Sequence, residues 1–118
     1  MMTAAVESRM GTYLTQVKGP ARGVFQMEPA TEKDLWDNYL KYKPHIVADI
    51  AKYNHAHPDQ MRWNLAYAIL MARIHYLRCP EPIPSTHVEL AAYWKKWYNT
   101  HKGKGTPEKA LSAYKEMC

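Results

Sequence analysis

The stretch Leu65-Ala66-Tyr67-Ala68-Ile69-Leu70-Met71-Ala72 constrains the fold of this chain most, because it has no polar side in any register. A helix that is apolar all round needs walls all round, so this one is expected to be the central, buried helix of a helical domain. Its limits are set by proline. Pro58 fits the first position of a helix, where its missing N–H has no intrahelical partner to lose. At the far end, Pro80, Pro82 and Pro84 in Cys79–Pro84 cannot continue one. Arg73, His75 and Arg78 make the last turns polar and suit the negative end of the helix dipole.

The remaining chain reads as shorter helices separated by breakers. Residues 1–8 are Ala-rich and read as a helix end. Gly11, Gly19, Pro20, Gly23 and Pro29 punctuate an ordered loop over residues 9–30. Thr31 is expected to cap the next helix, with Glu32 and Asp34 in its first turn, and Pro44 to start another. Ser85 or Thr86 is expected to cap the next helix, Thr86 with Glu89 matching a capping box, and that helix carries Val88, Leu90, Ala91, Trp94, Trp97 and Tyr98. Thr106-Pro107-Glu108 restarts a final helix to about Met117. No strand pattern is present. With 118 residues, the expectation is one all-α domain, residues 1–118.

A net charge of +5 favours anionic partners such as nucleic acid, anionic lipid or a bacterial wall. Lys95, Lys96, His101, Lys102 and Lys104 cluster, but no basic arm, zinc-finger or RNA-motif signature accompanies them, so no nucleic-acid partner is expected. Nine Tyr and four Trp against one Phe suit half-wet walls, in a sugar cleft or on an ordinary helix face. Cys79 and Cys118 give no disulfide framework and are expected as thiols. No signal peptide is expected from Met1–Val6, which lack a basic stretch and a long apolar run, and no run approaches the roughly 20 apolar residues that span a bilayer. The chain is therefore expected to be made in the cytoplasm and not to insert in a membrane.

Acid chemistry near neutral pH needs a carboxyl whose pKa is raised by burial. Glu7 follows the apolar Ala4-Ala5-Val6 and precedes a loop able to wall a cleft; the alternative is a solvated acid near a terminus. His55-Ala56-His57 has no further ligand at metal spacing, and Gly103-Lys104-Gly105 lacks phosphate-loop spacing, so neither metal nor cofactor is expected.

Glu7-Ser8, Gly23-Val24-Phe25-Gln26-Met27, Pro29-Ala30-Thr31, Asn64-Leu65, and Ala91-Ala92-Tyr93 through Tyr98-Asn99-Thr100 with Gly103 occur in an order that resembles the lytic transglycosylases of the soluble type. Goose-type lysozymes and phage-associated wall hydrolases are their relatives. The resemblance implies a compact lysozyme-like domain with an active-site cleft, acting on peptidoglycan glycan strands at the bacterial cell wall, as a lysis factor or as part of a phage virion. It implies that Glu7 is the catalytic acid/base, and that Ser8, Phe25, Gln26, Tyr98 and Asn99 line the substrate. Glu7 would protonate the oxygen between N-acetylmuramic acid and N-acetylglucosamine, then deprotonate the muramyl 6-hydroxyl to leave a 1,6-anhydro end.

Most glycosidases pair two carboxyls across the scissile bond. No Asp or Glu lies between Glu7 and Glu28, which favours a single-acid route. Val17 stands where the family often has Ser, Phe25 replaces a cleft Met, and Trp94-Lys95-Lys96-Trp97 separates Tyr93 from Tyr98. The helix presenting Glu7 is short. A hydrolytic muramidase and an inactive wall-binding or virion structural module of the same fold are the alternatives, with a basic nucleic-acid binder a remote third.

Overall fold

The computed structural model describes residues 1–15, 19–100 and 103–118. Val17, His101 and Lys102 lie outside the described residues. The described chain is mostly helical: α1 (Met2–Ser8), α2 (Pro29–Asn38), α3 (Pro44–Ile50), α4 (Gln60–Trp63), α5 (Leu65–Leu77), α6 (His87–Trp94) and α7 (Pro107–Met117). A 3₁₀ turn, Leu40–Tyr42, joins α2 to α3, and a π turn, Lys95–Asn99, extends α6. The radius of gyration is 13.9 Å, close to the roughly 13.5 Å of a compact chain this long. Among the described residues, no helix is long and apolar enough to cross a membrane.

The caps explain the boundaries. The side chains of Thr86 and Thr106 accept the N–H groups of Glu89 and Lys109, each at 3.2 Å, so α6 and α7 start where the Thr-containing motifs place them. Two starts differ from expectation. Helix α2 begins at Pro29, not Thr31, because a proline at the first position lets Glu28 serve as the extended N-cap. The single helix expected from Pro58 is two, α4 and α5. Asn64 breaks it with an extended backbone, while its Oδ1 accepts the Tyr67 N–H at 3.2 Å and its Nδ2 donates to the Tyr53 carbonyl at 2.6 Å. An Asn that satisfies both neighbours' backbones competes well with continued helix.

Two apolar clusters form. Leu35, Leu40, Ile50, Met61, Tyr67, Met71 and Ile74 join α2, α3, α4 and α5, with Met27 from the loop. Met2, Ala91, Trp94 and Ala110 join α1, α6 and α7. Helix α5 is buried along Tyr67, Ala68, Met71, Ala72 and Ile74, but Leu65 and Ile69 are about half exposed. The expectation of a helix walled on all sides is thus corrected: a domain of this size leaves one edge of α5 uncovered.

The loop before α2 is ordered by its own backbone. Arg22 and Met27 exchange N–H···O bonds at 3.1 Å, and the turn between them closes with Gln26 N–H to the Gly23 carbonyl at 3.1 Å. Gly23 has φ +81°, and a Cβ there would stand 2.2 Å from the Met61 carbonyl oxygen. Only glycine lets this turn lie against α4. Two antiparallel bridges, Thr15 to Arg22 and Arg22 to Met27, are the extent of β pairing among the described residues.

Candidate active site

Helix α1 ends at Ser8, and Arg9 takes the left-handed conformation after it, as a C-terminal cap does. Glu7 therefore sits in the last turn of α1, a place where the helix dipole opposes negative charge. Its carboxyl lines a cleft of about 1110 Å³. The cleft draws Gln26, Met27 and Glu28 from the loop and the start of α2, His75 from α5, and Tyr98 and Asn99 from the π turn.

Burial pushes the Glu7 pKa from its ordinary 4.5 up to about 7. One hydrogen bond works against that rise: the indole N–H of Trp94 donates to Oε1 at 3.0 Å. The bond leaves Oε2 to carry the transferable proton. Trp94 itself is buried, held between α1, α6 and α7, and a Cβ at Gly105 would stand 2.5 Å from its ring.

Aromatic rings supply the dry surroundings. Tyr76 stacks on Tyr98 with centroids 5.4 Å apart and on Tyr93 at 5.5 Å, and His75 meets Tyr98 edge-on at 5.0 Å. The Tyr76 hydroxyl is engaged with Thr3 Oγ1 at 2.6 Å, and the Tyr98 hydroxyl donates to the Phe25 carbonyl at 2.6 Å. Burial and the nearby Glu7 charge hold both phenols well above the ordinary tyrosine range, so both remain protonated. Desolvation lowers the His75 pKa, which keeps that imidazole neutral near pH 7. Glu7 is thus the group in this cluster able to exchange a proton near neutral pH.

The residues singled out from sequence fall into three groups. Glu7, Gln26, Tyr98 and Asn99 come together on the cleft. Gln26 has φ +48° and its Nε2 donates to the carbonyls of Tyr13 and Gly23, each at 3.0 Å, so its amide also braces the turn that presents it. Asn99 Oδ1 accepts from Lys95 Nζ at 2.8 Å, and the same ammonium bonds the Thr100 and Gly103 carbonyls at 2.9 and 3.0 Å. Two expectations are corrected. Ser8 is fully buried, its hydroxyl donating to the Val24 carbonyl and accepting the Gly11 N–H at 2.9 Å, so it ties α1 to the loop and does not meet a ligand. The Phe25 ring packs on the main core and lines a second hollow behind the cleft; its carbonyl, not its ring, supports the site.

The basic cluster is also less free than its sequence suggests: Lys95 is spent on the π turn and Lys96 pairs with Glu81. Lys104 lines the cleft.

Sequence reasoning missed Trp94 and His75 as site residues. Trp94 follows the Ala91-Ala92-Tyr93 element directly. Its position one turn before Tyr98 on a continuing helix was the available signal, since residues four apart share a face.

Trp94→Phe is expected to keep the ring packing and remove the side-chain hydrogen bond that lowers the Glu7 pKa. The Glu7 midpoint should then rise above 7, read by NMR titration of its carboxyl carbon. A midpoint that stays or falls would show that the indole N–H does not hold this carboxyl.

Among known proteins, no family model, curated protein or solved structure matches the chain.

Proposed function

We propose that the protein cleaves peptidoglycan glycan strands between N-acetylmuramic acid and N-acetylglucosamine, as a lysozyme-like lytic transglycosylase with Glu7 as its one catalytic acid/base. The observation that carries this reading is a desolvated carboxyl, half protonated near pH 7, on the wall of a cleft large enough for several sugar rings. A small-molecule site is about 300–1,000 Å³, and this cleft exceeds that range.

In the proposed reaction Glu7 gives its proton to the glycosidic oxygen as the bond to the anomeric carbon breaks. The carboxylate so formed then takes the proton of the muramyl 6-hydroxyl while that oxygen bonds the same carbon. Glu7 ends as it began, and no water is consumed. Gln26 and Asn99 offer amide groups to the acetamido sugars, and Tyr98 holds the apolar wall that keeps Glu7 protonated. The strand would be reached at the cell wall, either after lysis or from a phage particle.

One observation favours hydrolysis as a second reading: Glu28 is exposed on the same cleft and could position a water. The two differ in product. Muropeptides released from purified sacculi carry 1,6-anhydro ends in the first case and reducing ends, heavier by one water, in the second. Mass spectrometry of the parent and of Glu28→Gln separates them. Anhydro ends from both proteins are expected; reducing ends lost in Glu28→Gln would establish the hydrolase. Absence of any soluble fragment with the parent protein would leave a binding module.

A further inference from the structure

Behind the wall that carries Glu7 lies a second hollow, of about 270 Å³. Its lining is almost wholly apolar: Phe25, Ile69, Ala72, Leu90 and the inner faces of Tyr76 and Trp94. Three of these are the frame of the catalytic acid. Trp94 bonds the Glu7 carboxyl, Tyr76 stacks on Tyr98, and the Phe25 carbonyl holds the Tyr98 hydroxyl. Ile69 and Ile83, also in its lining, are 48% and 43% exposed. The Tyr76 hydroxyl is already paired with Thr3, so the interior asks little of a polar ligand. Arg73 is the single charged side chain in the lining, with no carboxylate beside it there.

We propose that this hollow binds a small amphipathic anion, an alkyl carboxylate whose chain lies against Phe25, Ile69 and Leu90 and whose head meets Arg73. An apolar cavity of roughly 150 Å³ already takes up benzene, so the available space is ample for a medium-length chain. Burying that chain supplies the attraction, and the guanidinium selects the head, since Arg pairs with carboxylates in a planar, two-bond geometry. A ligand seated here touches the back of Trp94 and is therefore felt at Glu7. The site stands on its own geometry, independent of whether the cleft cuts glycan.

The test is binding, read without any sugar. Decanoate, kept below its micelle concentration, is titrated into ¹⁵N-labelled protein while the Trp94 indole N–H signal is followed, with decanol in parallel. A saturable shift with decanoate is expected, with decanol binding about fivefold more weakly, the scale of one partly exposed ion pair of about 1 kcal/mol. Arg73→Gln should remove that difference and leave the weaker binding intact. Leu90→Trp should fill the hollow and abolish both; Ile69→Trp, at an exposed position on α5, serves if Leu90→Trp does not fold. No shift at Trp94, equal affinity for decanoate and decanol, or unchanged binding in the filled variant would each overturn the proposal.

Discussion

Glu7→Gln is expected to abolish glycan cleavage and, above neutral pH, to make the protein harder to unfold. General acid/base groups contribute roughly 10²–10⁴ in rate, and here one carboxyl is asked to serve both half-reactions, so a loss of about a thousandfold or more is expected. The stability effect follows from the raised pKa. Between the ordinary value, 4.5, and the folded value, about 7, the folded protein holds a proton that the unfolded chain has released. Stability of the parent therefore falls as pH climbs through that window and levels off above it. At pH 8 the buried charge costs up to about 3 kcal/mol, which the neutral amide escapes. The gap in Tm between Gln variant and parent should thus widen from pH 4 to pH 8 by roughly 10 °C. Calorimetry at the two pH values and turbidity of purified walls read the two effects separately. An active Gln variant would remove Glu7 from the chemistry, and a gap independent of pH would place its carboxyl in water.

Gly23→Ala should be the most damaging small substitution outside the core. Two costs add: a left-handed φ of +81°, about 1–2 kcal/mol for a residue with a Cβ, and the Met61 carbonyl oxygen at 2.2 Å, which is backbone and cannot swing aside. Either the turn at 23–26 moves off α4 or the protein loses roughly 3–5 kcal/mol. The same turn presents Gln26 and supplies the carbonyl that holds Tyr98, so the variant should also lose the Tyr98 hydroxyl's protection from exchange. Denaturant unfolding checks the first effect. A midpoint within about 0.5 kcal/mol of the parent would show that the loop is not wedged against α4.

What sequence revealed tracks how local each cause is. Thr86 and Thr106 were legible because a hydroxyl capping the third residue on is a short-range event. The π turn and the split at Asn64 were not. Each depends on a partner well outside the helix pattern, the Tyr53 carbonyl for Asn64 and the Gly103 carbonyl for Lys95. The site divides in the same way. Gln26 and Asn99 reach the cleft as the motif order implies. Ser8 and Phe25 turn inward because two short bonds, to the Val24 carbonyl and from Tyr98, take the loop's polar atoms and leave the Phe25 ring to the core. Burial of Glu7 was legible only as a requirement of the chemistry. The indole that fixes it comes from Trp94, 87 residues along the chain, and its spacing of four from Tyr98 was the one signal of it in the sequence.

The π turn ties the identity of the acid's neighbours to a count of residues. The Thr100 N–H reaches back to the Lys95 carbonyl at 2.7 Å, five residues away, so Lys95–Asn99 carries one residue more than an α turn would. Removing any one of them would let ordinary winding resume with the chain beyond held in place, and the side chains inside the turn would be dealt out anew around it. The phenol now beside Glu7 would swing aside and a different side chain would take its place. Changes in length here would therefore retune proton affinity in discrete jumps, whereas exchanging side chains at fixed length would adjust it by degrees.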